Sequence, residues 1–234
     1  MKNSIYYYLG NHPPALKLFQ SLESAGDLYL IGGVLREYRD HHEINSLRDM
    51  DIIIQVRDVI AWNNILETYS FYTNRFGGHK LTCDGLLIDV WPIEDTWAFR
   101  KHIIQCPPEE YLLNLPKTVF LNIDGIIYDW DSETWYDAEY QQALSSHILD
   151  VVLPQNPQIP LNILRAFVLA DRYNLSFSQK LTKIIYQSCS TFNSLSDFSY
   201  LLLQEQRKRY GKDIFSYEEI QNNLYTLLRD YHIR

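Results

Sequence analysis

The apolar positions of this chain change period along its length. Leu28–Ile31 and Asp49–Val56 carry short apolar runs, with Ile52, Ile53 and Ile54 consecutive, as in strands buried on both faces. Residues 11–24 place Ala15, Leu18, Phe19 and Leu22 at helical spacing, with Pro13 and Pro14 in the first turn, where a missing N–H is harmless. A short helix over 34–39 and a longer one over 57–69 follow the two strands. A strand over 70–76 is interrupted by Gly77-Gly78. Asp-Gly between apolar runs predicts hairpins, one joining 79–83 to 86–90 around Asp84-Gly85 and one joining 119–123 to 126–130 around Asp124-Gly125. Residues 94–105 and 138–149 read as helices. Beyond Pro154, Pro157 and Pro160 the pattern is helical throughout: 161–173, a helix opened by Ser176 with Gln179, 195–210, and 216–230 opened by Ser216 with Glu219. The fold class is α+β, a mixed sheet followed by a helical region. The predicted domains are a sheet-bearing head over 1–106, a hairpin and connecting segment over 107–153 that completes it, and a helical domain over 154–234.

Two features carry chemistry. Gly32-Gly33 sit where the first strand feeds a helix, and glycines there let backbone N–H groups approach an anion. Asp49 and Asp51 stand two apart on the next predicted strand and so project from one face. A pair of carboxylates suits a hard divalent cation. Asp89, embedded in the apolar run Leu86–Val90, is costly there without a partner and becomes a third carboxylate if its strand lies beside the first pair. A phosphate seat next to a cation seat points to an enzyme that uses a nucleoside triphosphate. His41-His42-Glu43 lack the spacing of a metal site and read as a solvated loop.

The net charge of −8 argues against tight, nonspecific nucleic-acid binding, and the one short basic cluster, Arg207-Lys208-Arg209, reads as a solvated helix end. Three scattered cysteines make neither a metal motif nor a disulfide framework and suit a reducing compartment. No apolar run reaches the length of a membrane span, and the N-terminus lacks a signal-peptide pattern. A cytoplasmic protein with no membrane partner is expected.

The order Gly32-Gly33-Val34-Leu35-Arg36, then Asp49-Met50-Asp51, then Arg75-Phe76-Gly77, then Ile88-Asp89-Val90 resembles the polymerase-β-like nucleotidyltransferases. It is most similar to the head and neck of the class II CCA-adding enzymes and bacterial poly(A) polymerases, over roughly residues 15–190. The departures are specific. Glu37 stands where the family usually has Asp, and Gly78 where Thr is common. In the neck, Pro116–Asn122 keeps only Asn122 and one basic residue of an Arg-rich motif. Ile159–Ala166 keeps Arg165 but has Asn162 and Ile159 in place of Arg and Asp. Arg172 falls at another family arginine, and the family's base-selecting Glu-Asp-x-x-Arg motif has no match.

The resemblance implies transfer of a nucleoside monophosphate from an NTP to a hydroxyl acceptor, with pyrophosphate released. It implies two Mg²⁺ ions held by Asp49, Asp51 and Asp89, and nucleotide contacts from Gly32, Gly33, Arg36, Arg165 and Arg172. Arg36 would touch phosphate directly or support the residues that do; Arg48 is a weaker candidate. The acceptor would be an RNA 3′ end, a small molecule or a protein hydroxyl. The missing arginine forks motivate an alternative, a non-catalytic nucleotide-binding regulatory module. A protein whose Asp pair only caps a strand, and which acts by interaction alone, is the third class.

Overall fold

The computed structural model describes residues 1–47, 49–74 and 76–232. The chain divides into two compact units, Met1–Thr118 with Asp124–Ala138, and Val119–Ile123 with Glu139–Arg234. It thus leaves the first unit at Ala138, ahead of the proline-rich stretch.

The first unit opens with helices α1 (Lys2–Gly10) and α2 (Pro13–Ala25), then β1 (Gly26–Ile31), α3 (Gly33–His41), β2 (Asp49–Val56) and α4 (Val59–Thr68). Helix α1 has no counterpart in the sequence-based expectation. The Asp58 carboxylate caps α4 by accepting from the N–H groups of Ile60 and Ala61, both at 2.9 Å. Next come β3 (Tyr72–Thr73), β4 (His79–Cys83), β5 (Leu86–Pro92), the one-turn helices α5 (Trp97–Arg100) and α6 (Tyr111–Asn114), then β6 (Ile127–Asp129) and β7 (Trp135–Tyr136).

The seven strands form one sheet in the order β3-β4-β5-β2-β1-β6-β7. β2 and β5 pair in parallel, and the other pairs are antiparallel. Met50, Ile52, Ile54, Leu28, Leu30, Ile88 and Val90 line one fully buried face. On the other face Tyr29, Ile53 and Ile127 join Ile93, Phe99 and Leu115 in a core cluster. The three consecutive isoleucines are therefore needed because both faces of β2 are covered.

The Asp84-Gly85 hairpin is present, and both residues take positive φ, 48° and 80°, as a two-residue hairpin turn requires. The second predicted hairpin is not. Asn122–Asp124 is a turn of 3-10 helix, Leu121 bridges Val151, and β6 pairs with β1 and β7 instead. Neither Asp124 nor Gly125 takes positive φ, so the two-residue turn does not form. The helix expected over 94–105 is also shorter. It reduces to a 3-10 turn at Ile93–Asp95 and the four residues of α5, and His102 in the left-handed region ends it. The strand expected over 70–76 is confined to β3.

In the second unit the chain runs through α7 (Ala138–Ser146), β8 (Ile148–Leu149), α8 (Ile159–Tyr173), β9 (Ser176–Phe177), α9 (Gln179–Cys189), α10 (Leu195–Tyr210) and α11 (Tyr217–His232). The N-cap of α9 is Ser178, whose hydroxyl accepts from Leu181 N–H at 3.0 Å; Ser176 lies in β9. The capping box of α11 forms as expected, Glu219 N–H to Ser216 Oγ at 3.2 Å and Ser216 N–H to Glu219 Oε2 at 2.7 Å. No described helix is long and apolar enough to cross a membrane.

Asn122 stitches this unit together. Its Oδ1 accepts from the N–H groups of Ile123 and Asp150, and its Nδ2 donates to the Ile148 carbonyl, all at 3.0 Å. Replacing Asn122 with Ala removes the partner of these buried and half-buried backbone groups. The expected cost is about 1–3 kcal/mol, the range for unsatisfied buried polar groups, read as a lower urea midpoint at unchanged m-value.

Candidate active site

Strand register assembles the site. In the parallel pair β2–β5, Asp51 stands opposite Asp89 and Asp49 opposite Leu87. Paired residues share a face, and so do residues two apart on one strand, so Asp49, Asp51 and Asp89 all project from one side of the sheet. Ile53, two residues beyond Asp51, enters the apolar cluster on that side. The carboxylates thus stand at one end of a face whose other end is core.

Gly32 and Gly33 lie beside Asp51. Gly32 is the N-cap of α3, with φ 83° and ψ −141°, a conformation open almost only to glycine. A Cβ there would lie 2.9 Å from Asp51 Oδ2, while a Cβ on Gly33 would meet nothing within 4 Å. The helix N-terminus, whose first N–H groups have no partner within the helix, therefore comes up against the carboxylate.

Asp89 is the most buried of the three, with 8% of its surface exposed. Burial pushes its carboxyl up. Lys80 opposes that, nearby Asp49 adds to it, and His79 offsets a little. The Lys80 Nζ sits 2.7 Å from Asp89 Oδ2. Asn74 Nδ2 lies 3.4 Å from both Asp89 oxygens, while Asn74 Oδ1 accepts from Phe76 N–H at 2.7 Å and Gly78 N–H at 3.2 Å. One amide thus closes the turn into β4 and touches the carboxylate.

This turn also bears on Gly78. A Cβ there would lie 2.7 Å from Asn74 Nδ2 and 2.8 Å from Asp89 Oδ1, so the threonine common in the resembling family would push the Asn74 amide and the Asp89 carboxylate from these positions. Gly77, at φ 91°, lies against the Arg100 guanidinium. Arg75 and Arg48 lie outside the described residues.

Three other predicted residues lie on helices. Arg36 is buried in α3 and forms an ion pair and hydrogen bond with Asp124, itself 6% exposed. It ties α3, and hence the glycine turn at its start, to the segment before β6. Arg165 and Arg172 are on α8 in the second unit, with Arg172 over the Tyr173 ring at 5.3 Å. Asn162, where the family has Arg, is buried and donates to Asn156 Oδ1 at 2.6 Å, fastening the start of α8.

Lys80 and Asn74 are the residues that the sequence reading missed. Lys80 was within reach. A two-residue turn at Asp84-Gly85 sets the register Cys83 to Leu86, hence Lys80 to Asp89. Among the described residues, no three His, Cys, Asp or Glu side chains are gathered as a ready metal cage. The donor set is nonetheless of the kind a hard cation takes, and with glycine at 32 and 78 no side chain of those residues crowds the Asp51 and Asp89 oxygens, which a Cβ would approach to 2.9 and 2.8 Å.

No family model matches the sequence, and no curated protein matches it. Solved structures do. A CCA-adding enzyme in complex with CTP aligns at TM-score 0.61 and 15% identity, over 94% of this chain and 53% of that one. The Thermotoga maritima CCA-adding enzyme complexed with tRNA aligns at 0.59 and 16%, over 94% and 52%. A tRNA-processing enzyme in an apo form aligns at 0.56 and 20%, over 93% and 55%. The chain spans about half the length of these proteins. At such identities the likeness establishes the fold alone, a mixed-sheet head and a helical region of the kinds found in the CCA-adding enzymes.

The two glycines at the α3 N-terminus differ in a way that stability measurements resolve. Gly32→Ala forces a side chain into a glycine-only conformation against Asp51, a strain of about 1–3 kcal/mol. Gly33→Ala has open space and a helical first position, where alanine is favoured over glycine by up to about 1 kcal/mol. Thermal melts of the two variants should move in opposite directions or leave only Gly32→Ala shifted down.

Proposed function

We propose that this protein is a metal-dependent nucleotidyltransferase that transfers a nucleoside monophosphate from an NTP to the 3′ hydroxyl of an RNA, releasing pyrophosphate. The observation that carries this reading is the register of β2 against β5, which sets Asp51 beside Asp89 with Asp49 on the same face, next to the glycine N-terminus of α3. The fold-neighbours bound to CTP and to tRNA support a nucleotide donor and an RNA acceptor.

In this reading Asp49, Asp51 and Asp89 would hold two Mg²⁺ ions, which would supply charge to neutralise the triphosphate and ease loss of the proton from the attacking hydroxyl. The N–H groups at Gly32 and Gly33 receive phosphate oxygens, aided by the positive end of the α3 dipole. The hydroxyl oxygen bonds to the α-phosphorus, the bond from that phosphorus to the α–β bridging oxygen breaks, and its electron pair leaves with pyrophosphate. Asp89 takes the hydroxyl proton and returns it to solvent. Arg36 serves through its ion pair with Asp124, keeping α3 and its N-terminus in place. Arg165 and Arg172 are proposed as phosphate contacts on the strength of the sequence resemblance alone.

One observation favours the second reading, a nucleotide-binding module without turnover: Lys80 already holds the Asp89 carboxylate. The two readings separate in one experiment. Purified protein is incubated with Mg²⁺, cellular RNA and each α-labelled NTP in turn. Label at RNA 3′ ends is expected, and Asp49→Ala or Asp51→Ala should reduce the rate by about a hundredfold or more, the scale at which lost transition-state electrostatics acts. Full activity in both variants would sink the mechanism. Nucleotide binding by calorimetry with no labelled product would select the module.

A further inference from the structure

We propose that Lys80 is a built-in counter-cation of the site, holding Asp89 in the metal-free protein and moving to a nucleotide phosphate when metal and nucleotide arrive together. The proposal rests on the nucleotidyltransferase reading above and adds to it a residue that couples metal binding to nucleotide binding.

Asp89 lies between Ile88 and Val90, both essentially buried, and its own side chain is 11% exposed. A carboxylate in such a place is strongly disfavoured unless a partner compensates it. The partner is Lys80, directly opposite on β4, with its ammonium 2.7 Å from Oδ2. The pairing is built into the backbone, because the Asp84-Gly85 turn sets the register that brings the two residues together. Asn74 Nδ2, at 3.4 Å from both oxygens, completes the surroundings without supplying charge.

At 2.7 Å the ammonium occupies one lone pair of that oxygen, and its charge repels a dication bound within a few ångströms, so the two compete for Asp89. Lysine, unlike arginine, is a compact charge on a flexible four-carbon stem. The Lys80 side chain is 34% exposed, so its stem has room to swing without unpacking the core. The α3 N-terminus and Asp51 mark the phosphate end of the site, where a triphosphate would bring new anionic partners for the freed ammonium. Divalent metal alone must then compete with Lys80, whereas metal arriving with a triphosphate gives Lys80 somewhere to go. Metal and nucleotide each strengthen binding of the other by the same factor.

The test measures Mn²⁺ binding to the intact protein by electron paramagnetic resonance, with and without a non-hydrolysable NTP analogue. In the wild type, the analogue should tighten Mn²⁺ binding by about tenfold or more, within the range usual for coupled sites. Lys80→Gln removes the charge but keeps a hydrogen-bond donor for Asp89. It should bind Mn²⁺ alone about tenfold more tightly than wild type and lose most of the gain from the analogue. Lys80→Arg keeps the charge and should retain weak binding of metal alone; circular dichroism confirms that each variant is folded. If Lys80→Gln binds Mn²⁺ no more tightly than wild type while Asp51→Ala abolishes binding, the role given to Lys80 is wrong and the metal-site reading stands. If neither wild type nor Lys80→Gln binds Mn²⁺ with or without the analogue, both fall.

Discussion

The candidate site depends on the parallel pairing of β2 with β5. It is the only parallel contact among the described strands of the large sheet, and its register decides which side chains meet. A shift of one residue would turn Asp89 to the other face and send Ile88 or Val90 toward Asp51. Burial on both faces forbids that slip, since every residue from Ile52 to Ile54 is sealed from solvent. The same apolar packing that stabilises the sheet therefore holds three carboxylates to one side of it.

Carboxylates so placed need compensation whether or not a metal is bound. The protein supplies it by three means at once. The N-terminus of α3 comes up to Asp51, Lys80 pairs with Asp89, and the Asn74 amide links the Asp89 carboxylate to the turn before β4. Glycine at 32 and at 78 is what makes these approaches possible, for different reasons. At Gly32 both the dihedral angles and the space demand it; at Gly78 the space alone does. Arg36 extends the same logic one layer further back, with a buried charge pair joining α3 to Asp124. Buried pairs of this kind add little net stability but are costly to break, and here the pair holds the glycine turn in place.

The second unit is where the chain departs most from the family that it resembles, and the structure shows what has replaced the missing arginines. Asn162 is buried and fastens the first turn of α8, and the retained Asn122 joins two backbone segments through three hydrogen bonds. Polar residues at motif positions thus serve the fold. An asparagine offers donors and acceptors at short reach but no bidentate fork for phosphate.

Much of the first unit was legible in the sequence because its signals are local. The Gly-Gly step, the Asp-x-Asp alternation, the run of isoleucines and the Asp84-Gly85 turn each follow from side-chain period or from positive φ. So does the capping box of α11. The Asp124-Gly125 pair carried the same dipeptide signal and failed, since Leu121 found its partner in Val151 and β6 in β1, contacts far away along the chain. The 94–105 helix failed for a similar reason: Phe99 and Ile93 are spent on the core cluster, and packing overrode a weak local tendency. By itself, then, the sequence determined the candidate carboxylates, the glycine turn and the order of strand and helix from α2 to β5, because these depend on spacing of a few residues. Only the tertiary structure decided that Asp89 stands opposite Asp51, that Lys80 holds it, and that Arg36 is buried on Asp124. Those are pairings between distant segments, set by which faces could be buried together, and no local period encodes them.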